Sequence, residues 1–412
     1  MNSSTPHTTD LPKRLALFTG AYNHIADGVS LTLNRLVAFL EDQGVEVLVF
    51  APTVDEPALE HAGELVPLPS VPAPGRPEYR VTTRFPRRVR EQLEAFGPTL
   101  VHLATPDYAG YRALRWANEH GLPAVASYHT HFSSYFRYYH LGAVEPLFWQ
   151  YARWFYGQCE QVYVPSQSMA DVLRSQEITD GLRLWERGVE TDRFHPRHRD
   201  LAWRRTLGVG DDEVLVSFVS RLVWEKGLGV FADVVEGLAA RGLKARSLVV
   251  GDGPARDELE SRLGETLFTG HLGGDELPRA DASSDVVLFP SDTETFGNVT
   301  LEAMASGVPT VCADATGSSE LVDDGTTGFL VPPDDADGFL DATARLVRDA
   351  DLRARLGAAA RERAEDYAWD VILRRLLGYY HEVLSGHDRV PSDLTPSPSV
   401  APTATPAVPA TS

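Results

Sequence analysis

Short apolar runs that alternate with longer amphipathic stretches are the feature that most limits how this chain can fold. From Leu15 the chain reads RLALFTG, SLTLNRLVAFLEDQG and VEVLVFAP, and later TLVHLATP and PAVASYHT. The apolar runs show no polar alternation, so as strands they are buried on both faces, which is typical of a parallel sheet covered by helices. The pattern therefore predicts an α/β, doubly wound fold.

The same pattern pauses near residue 195 and restarts with EVLVSFVSR, ARSLVVGDG, TLFTG, DVVLFPS and PTVCAD. At 412 residues the chain is also too long for one ordinary core. We therefore expect two Rossmann-like domains joined by a polar linker at 190–200. The predicted segments are a flexible N-terminus (1–12), an N-terminal domain (13–195), a C-terminal domain (196–365), a helix that packs back on a domain (366–387) and a disordered Pro/Thr/Ser-rich tail (388–412).

The composition excludes several classes of protein. A formal charge of −20 repels nucleic acid and anionic lipid at long range, so we expect no nucleic-acid partner, although local basic patches are compatible with it. Two cysteines, Cys159 and Cys312, fall in different predicted domains, which fits a reducing compartment. No apolar run reaches the ~18 residues of a membrane span, and the N-terminus lacks an apolar core. We expect a cytoplasmic protein.

The strongest local signal is ETFGNVTLEAMASGVPTV, residues 294–311, in which Glu294 and Glu302 lie eight positions apart. Within one helix this spacing would separate them by about 12 Å along the axis. Gly297 is unfavourable inside a helix, and Asn298 is a good cap. We therefore place Glu294 in a loop and Glu302 in the first turns of a helix, with both carboxylates directed into one crevice. The alternative is a surface loop and a helix that carry one acid each.

Two further features of the C-terminal half suit an anion. The amides from Phe296 to Val299 at a helix N-terminus favour negative charge without any side chain. Arg221 and Lys226, in SFVSRLVWEKG, follow a strand and could neutralise a diphosphate leaving group. A solvated helix start, with Glu225 as ion-pair partner, is the alternative. The GDGP stretch that follows the next strand indicates a plain turn more than a phosphate loop.

The N-terminal half offers weaker signals. Gly20 and Gly28 flank a loop between the first strand and the first helix, where Gly28 would let the backbone approach a phosphate, or where both glycines simply give flexibility. His129 and His131 follow a buried strand. No third ligand with suitable spacing accompanies them, so we expect no metal site and a hydrogen-bonding histidine instead. The aromatic segment that follows is mostly core, with some residues that could line an acceptor pocket.

Five arginines gather beside Phe85 in YRVTTRFPRRVREQL, within an otherwise acidic chain. They are either a solvated loop and helix start or a local patch for anionic lipid headgroups. The arginines are Arg80, Arg84, Arg87, Arg88 and Arg90.

Taken together, these motifs resemble the retaining, nucleotide-sugar-dependent glycosyltransferases of the GT-B fold, glycosyltransferase family 4. The similarity extends from about Leu15 to Leu384. It is carried mainly by Glu294-x7-Glu302, and also by SRLVWEKG, GDGP and GSSELVDDGTTGFLVPP. The resemblance implies two Rossmann-like domains facing across a cleft, the first binding the acceptor and the second the nucleotide sugar.

The resemblance also implies residue roles. Glu294 would contact the transferred sugar, Glu302 would hold the nucleotide ribose, and Arg221 and Lys226 would neutralise the diphosphate. His129 would hydrogen-bond the donor sugar. The implied catalytic residues are thus His129, Arg221, Lys226 and Glu294, and the donor-binding set also contains Gly20, Gly28, Phe296, Gly297, Asn298 and Glu302. Asp27, next to Gly28, departs from the family pattern, in which this residue is often uncharged. An acid close to the diphosphate would be unfavourable unless its side chain turns away.

The implied reaction is retaining transfer of a hexosyl group from GDP-mannose or a UDP-sugar to a hydroxyl of a lipid or glycan. We expect front-side displacement in which the departing phosphate helps to deprotonate the acceptor, because no glycosidase-like carboxylate pair is evident. We expect neither a metal nor a cofactor, and possible peripheral contact with the inner face of the membrane. The alternatives are another GT-B enzyme, such as a phosphorylase or nucleotide-sugar epimerase, and a non-catalytic nucleotide-sugar-binding protein.

Overall fold

The computed structural model describes residues 12–74, 76–128, 145–294, 296–315 and 317–386. The chain divides into two compact units, one running to Trp185 and resuming at Arg375, the other spanning Glu186–Arg374. Each unit contains one all-parallel sheet with helices, as the apolar runs predicted. The expected tail at 388–412 and nearly all of the expected flexible N-terminus lie outside the described residues.

The first unit is built around a seven-stranded sheet with the order β3-β2-β1-β6-β7-β8-β9, in which all neighbours are parallel. Its described elements are β1 (Arg14–Phe18), α1 (Gly28–Asp42), β2 (Glu46–Pro52), β3 (Glu64–Leu68), β4 (Ser70–Ala73), β5 (Arg76–Thr82), α2 (Arg87–Phe96), β6 (Leu100–Leu103), α3 (Tyr108–Glu119), β7 (Ala124–Ser127), α4 (Glu145–Tyr156), β8 (Gln161–Val164), α5 (Gln167–Ser175) and β9 (Leu182–Leu184).

Burial on both faces explains why these strands lack polar alternation. All four residues of β6 are buried, as are all four of β7. The rings of Phe18 in β1 and Phe50 in β2 stack at 4.4 Å between centroids. Helix α1 buries Leu33, Leu36, Val37 and Leu40, which is the spacing of one helical face.

The arginine-rich segment contains more regular structure than the sequence suggested. Strands β4 and β5 form a separate antiparallel hairpin, so Arg80 lies in a strand instead of a loop. Helix α2 begins at Arg87, and the arginines from that position onward are helical. The sequence did not reveal the hairpin, because its strands are largely exposed and carry polar residues.

The second unit is built around a six-stranded parallel sheet with the order β12-β11-β10-β13-β14-β15. Its described elements are α6 (Leu201–Thr206), β10 (Val214–Val219), α7 (Leu228–Ala240), β11 (Ala245–Val250), α8 (Arg256–Arg262), β12 (Leu267–Gly270), α9 (Glu276–Ser283), β13 (Val286–Phe289), α10 (Asn298–Ala305), β14 (Thr310–Ala313), α11 (Ser318–Leu321), β15 (Gly328–Val331), α12 (Ala336–Arg348), α13 (Ala350–Glu365) and the start of α14 (Trp369–Leu384). Short 3-10 turns lie at Pro196–His198 and Trp224–Lys226.

The segment predicted as the linker, 190–200, packs within the second unit. Arg361 of α13 donates to the carbonyls of Thr191 and Phe194 at 3.0 and 2.9 Å. Arg199 pairs with Asp285 at 2.5 Å. These bonds fix the segment to its own unit, and the division between the units falls earlier, after Trp185.

The last helix, α14, starts in the second unit and ends in the first. In the first unit its Tyr380 is fully buried, and the hydroxyl hydrogen-bonds to Nδ1 of His102 at 2.6 Å. Nε2 of His102 hydrogen-bonds to Oγ of Ser127 at 2.5 Å. The C-terminal part of α14 therefore completes a buried polar chain that reaches into β6 and β7.

Strand order reverses once in each sheet. In the first unit the reversal lies between β1 and β6, and in the second between β10 and β13. In open α/β sheets, ligands bind beyond the carboxyl ends of the strands at such a topological switch point. The loops after these four strands are therefore the first places to look for a site.

Candidate active site

The loops after β10 and β13 pack closely at the switch point of the second unit. Gly227 ends the loop after β10 with φ +79°, and a Cβ at this position would lie 2.6 Å from the carbonyl oxygen of Pro290, which follows β13. Only glycine combines this conformation with this approach. The close packing brings the side chains on either side of it together.

Lys226 and Glu294 form an ion pair at this junction. Nζ of Lys226 lies 2.5 Å from Oε1 of Glu294, and each side chain keeps only about a fifth of its surface exposed, 20% and 19%. A pair with little access to water is screened less than one on the surface. The sequence placed both residues in one site, but not in contact with each other.

Arg221 occupies the same loop in a different environment. Its side chain is 69% exposed and lies 3.5 Å from Glu225, an ion pair within hydrated surroundings. This is the contact that the alternative interpretation of the sequence predicted. Such a pair contributes little to the free energy of unfolding, so Arg221 can dissociate from Glu225 and bind a more highly charged anion.

Helix α10 presents its N-terminus beside Glu294. Gly297 is the N-cap residue with φ +91° and has no side chain to cap the helix, and Asn298 is the first helical residue. The expectation that Asn298 caps the helix is therefore wrong: the left-handed conformation at the preceding position suits glycine. The first-turn amides of a helix have no intrahelical acceptor, and together they favour an anion.

A second glycine closes this loop from the other side. Gly317 has φ +92°, and a Cβ there would lie 2.9 Å from the carbonyl carbon of Phe296 and 3.1 Å from Cβ of Glu294. Phe296 itself is buried, and its ring meets that of Tyr367 edge-on at 6.2 Å. Phe296 thus anchors the loop through its side chain.

Glu302, in the second turn of α10, carries a perturbed carboxyl group. Burial raises its pKa to about 7, with the charge of Arg193 acting in the opposite direction and that of Glu190 reinforcing the rise. At neutral pH the group is therefore close to its midpoint. Hydroxyl groups that donate to the carboxylate would favour its ionised form.

Asp281, on the neighbouring helix α9, was not singled out from the sequence. It is only 2% exposed, and its Oδ2 has no hydrogen-bond partner in the described part of the chain. Burial, followed by the charge of Glu302, raises its pKa well above the usual range. Nothing in PRADASSD distinguishes this acid from Asp285, which pairs with Arg204 at 2.7 Å, so no local signal could have identified it.

The GDGP turn supports the site by packing. Gly251 has φ +136°, and a Cβ there would lie 1.8 Å from the carbonyl oxygen of Ser220. A Cβ at Gly253 would lie 2.4 Å from that of Leu222. These glycines let the turn after β11 lie directly against the loop that carries Arg221, which accounts for both of them without a phosphate.

The switch point of the first unit is arranged differently. The amide of Gly20 donates to Oγ1 of Thr105 at 3.0 Å, joining the loops after β1 and β6. Gly28 is the first residue of α1, and the N-cap residue Asp27 accepts a hydrogen bond from the amide of Ser30 at 2.8 Å. The Asp27 carboxylate thus takes an amide that a phosphate would need, which disfavours phosphate binding beside Gly28.

The remaining predicted site residue, His129, lies outside the described residues, as does His131. Among the residues that are described, no group of three or more His, Cys, Asp or Glu side chains could hold a metal ion. No helix in the described ranges is long and apolar enough to cross a membrane. Cys159 and Cys312 are both buried and unpaired.

The chain has two doubly wound units, and one of them presents a cation, a carboxylate and an uncapped helix N-terminus at its switch point. This is the architecture of a GT-B glycosyltransferase. Solved structures agree on the fold. Sucrose-phosphate synthase from Thermosynechococcus elongatus aligns over 90% of this chain and 99% of its own, with a TM-score of 0.68 and 21% identity. Anabaena HepE in complex with UDP aligns over 89% and 98%, with a TM-score of 0.65 and 20% identity.

Sequence comparisons identify the family. The model of Glycosyltransferase Family 4 matches residues 26–193, and that of Glycosyl transferases group 1 matches 213–349. A GDP-mannose-dependent alpha-mannosyltransferase of Corynebacterium glutamicum is 32% identical over 384 residues, 92% of this chain and 91% of its own. A protein of that name from Mycolicibacterium smegmatis is 34% identical over 376 residues, 90% and 98%. The sulfoquinovosyl transferase SQD2 of Arabidopsis thaliana is 32% identical over 375 residues, 88% and 72%. The chain belongs to glycosyltransferase family 4 and is a glycosyltransferase.

Proposed function

We propose that this enzyme transfers a hexosyl group, with retention of configuration, from a nucleotide-diphosphate sugar to a hydroxyl of a lipid or glycan. The observation that carries the proposal is the Lys226 and Glu294 pair beside the uncapped N-terminus of α10. The relatives named as GDP-mannose-dependent alpha-mannosyltransferases make GDP-mannose the first donor to test. A UDP-sugar is the second, since a fold neighbour was solved with UDP.

Each group in the site has a role in this proposal. Glu302 accepts hydrogen bonds from the ribose hydroxyls, and Glu294 accepts one from the sugar. Lys226, Arg221 and the first-turn amides of α10, near Phe296, Gly297 and Asn298, bind the diphosphate. Charge grows on that diphosphate as the glycosidic bond breaks, and fixed positive groups stabilise it most in the transition state.

Retention follows if the acceptor attacks from the face that the leaving group vacates. A diphosphate oxygen then takes the acceptor's proton, so no separate carboxylate base is required. Because Lys226, Arg221 and the helix N-terminus supply the positive charge, we propose that the reaction requires no metal and no cofactor. His129 and Gly20 are proposed donor contacts, whereas the Asp27 cap weakens the case for Gly28.

Donor binding is tested with purified protein in a thermal-shift panel of GDP-mannose, GDP, UDP-glucose and UDP. A ligand that binds only the folded state raises the melting temperature. We expect GDP-mannose to give the largest shift in the wild type and in Lys244→Ala, an exposed lysine paired with Asp212, but a much smaller one in Lys226→Ala. Equal shifts in the two variants would overturn the assigned site.

Turnover is tested with a lipid or glycan acceptor, with the product's anomeric configuration read by NMR. An α-linked product from GDP-mannose, formed at an unchanged rate with a chelator, is expected. An inverted product would overturn retention, and loss of activity with the chelator would overturn metal independence. Phosphorolysis or epimerised donor would instead identify a GT-B phosphorylase or epimerase.

We also propose that the first unit docks on the cytoplasmic face of an anionic membrane. Arg84, Arg87 and Arg88 are exposed. The hairpin formed by β4 and β5 displays Val71 and Val81 as a cross-strand pair, 48% and 45% exposed. Apolar side chains near basic ones suit the boundary between headgroups and acyl chains. A lipid acceptor would be presented at that surface.

A further inference from the structure

The first unit contains a cavity of about 260 Å³ between α2 and α3, apart from the site described above. Three guanidinium groups and two phenol groups are among the groups that line it: Arg90, Arg112, Arg115, Tyr108 and Tyr111. Glu119 also lines it and is the one carboxylate there. In a chain with a charge of −20, such a concentration of cations is unusual.

The arginines differ in how their charges are compensated. Arg90 pairs with Glu94 at 2.8 Å, and Arg115 lies 3.6 Å from Glu119. Arg112 has no carboxylate partner among the described residues; its guanidinium donates to the hydroxyl of Tyr108 at 3.2 Å and lies 5.7 Å from the centre of the Phe85 ring. The cavity therefore holds a positive charge that the described residues leave uncompensated.

The position of Arg112 keeps that charge in place. Its side chain is partly buried on α3, and Phe85 packs against the hydrophobic core of the unit. A guanidinium held against a ring in this way loses little further freedom on binding. Arg112 is therefore pre-oriented to bind an anion.

The size and chemistry of the cavity select the anion. Its volume is below the ~300–1,000 Å³ of sites for drug-sized ligands, so it admits a small group. A planar guanidinium binds phosphate oxygens in a bidentate manner, and neighbouring hydroxyls can add hydrogen bonds. We propose that this cavity binds the phosphate group of a second, phosphorylated ligand, distinct from the donor's diphosphate.

Calorimetry with glycerol 3-phosphate tests the proposal for a soluble ligand. Arg112→Gln should weaken binding about tenfold or more, because it removes charge-assisted hydrogen bonds. The affinity of Arg112→Lys should lie between those of Arg112→Gln and the wild type. Arg205→Gln, at an exposed arginine of the second unit that pairs with Asp211 and does not line the cavity, should bind like the wild type. GDP-mannose affinity, measured in parallel, should be unchanged in all three variants, which separates this site from the proposed donor site.

Sedimentation with phosphatidylcholine vesicles, with and without phosphatidic acid, tests a lipid source. If only vesicles with phosphatidic acid bind, and Arg112→Gln weakens that binding more than Arg205→Gln does, the phosphate is a lipid headgroup. If neither probe binds the wild type, or if Arg112→Gln binds both as well as Arg205→Gln does, the proposal is wrong. Should Arg112→Gln fail to fold, as judged by circular dichroism, Arg112→Lys replaces it and should weaken binding to a smaller extent, because an ammonium group cannot bind phosphate oxygens in the bidentate manner of a guanidinium.

Discussion

At the scale of single residues, the candidate site depends on groups whose charges are set by their surroundings. Lys226 and Glu294 hold each other in place with limited access to water. Glu302 carries a pKa near neutrality because burial disfavours its charge. Arg221 remains hydrated. The two cations, Lys226 and Arg221, are therefore expected to contribute differently to donor binding and turnover, and so are the two acids, Glu294 and Glu302.

Glu302 should make both stability and donor binding depend on pH, in opposite directions. Its folded-state pKa of about 7 lies above the ordinary value of 4.5, so its contribution to stability is fully present below about pH 4.5. That contribution is lost as the pH rises through 7. Nucleoside diphosphate affinity should instead fall as the pH drops below 7, because ribose hydroxyls require the ionised acceptor.

The measurements are thermal unfolding without ligand and calorimetry with GDP, each between pH 5 and 8 in roughly unit steps around the pKa. Glu302→Gln should flatten the ligand-free stability profile and weaken GDP binding by about tenfold, the loss of a charge-assisted hydrogen bond. Identical pH profiles for variant and wild type would contradict the assignment.

Lys226→Ala should reduce turnover by about 10²- to 10³-fold, the usual effect of removing one group that stabilises transition-state charge. Arg221→Ala should cost less, because its side chain is 69% exposed and already hydrated. Lys244→Ala is the matched control. Steady-state kinetics test this prediction. A rise in KM alone for Lys226→Ala, with kcat intact, would show that Lys226 does not stabilise the transition state specifically.

At the scale of elements, loops and helices are fixed by a few contacts between residues far apart in sequence. The loop after β10 is held by Gly251 on one side and, at Gly227, by the loop after β13 on the other. Helix α14 is held in the first unit by the hydrogen bond from Tyr380 to His102. Each of these contacts can be removed with a small change of side chain.

Gly251→Ala should displace the loop that carries Arg221 and Lys226. The new Cβ would lie 1.8 Å from the carbonyl oxygen of Ser220, at φ +136°, and the backbone strain alone costs roughly 1–3 kcal/mol. Gly229→Ala is the control, because the added Cβ would meet no atom within 4 Å apart from its chain neighbours and the backbone of its own helix, and alanine favours a helix. Denaturant unfolding and GDP binding should both be impaired in Gly251→Ala, and both intact in Gly229→Ala.

Tyr380→Phe should destabilise the first unit by about 1–3 kcal/mol, because it removes the hydrogen bond between the Tyr380 hydroxyl and Nδ1 of the buried His102. The aromatic contacts of the ring are retained, so a larger loss is not expected. A double-mutant cycle with His102→Ala isolates the bond. Additive effects in chemical denaturation would show that the hydroxyl and the imidazole do not stabilise each other.

At the scale of the whole molecule, net charge and local charge oppose each other. The chain carries −20 overall, yet Arg84, Arg87 and Arg88 form an exposed basic segment. Within a Debye length of about 10 Å, a local patch can outweigh a distant net charge. Membrane binding is therefore expected to be weak, local and sensitive to salt.

Sedimentation with anionic vesicles tests this expectation. Replacing Arg84, Arg87 and Arg88 with Ser should abolish the pelleting seen for the wild type at low salt. Replacing the partly exposed Arg205, Arg241 and Arg262 with Ser changes the net charge equally and should leave pelleting unchanged. Equal loss in both variants would show that net charge decides, and equal pelleting of all three proteins would favour a soluble acceptor.

The sequence by itself determined the α/β class, two parallel sheets, the placement of Glu294 in a loop and of Glu302 in a helix, and the family. These follow from local patterns: continuous apolar strands, a glycine before a helix, and the spacing of two acids. A parallel strand that is buried on both faces has a continuous apolar sequence, so it can be recognised without knowing which strands or helices lie beside it.

Only the tertiary structure decided which side chains meet. Lys226 contacts Glu294 because β10 lies beside β13, and Tyr380 reaches His102 because α14 returns to the first unit. Asp281 is perturbed by Glu302 because α9 packs on α10. Each pairing depends on strand order or helix packing, which bring together residues that are distant in the chain. The local pattern of a sequence does not specify which distant residues will meet.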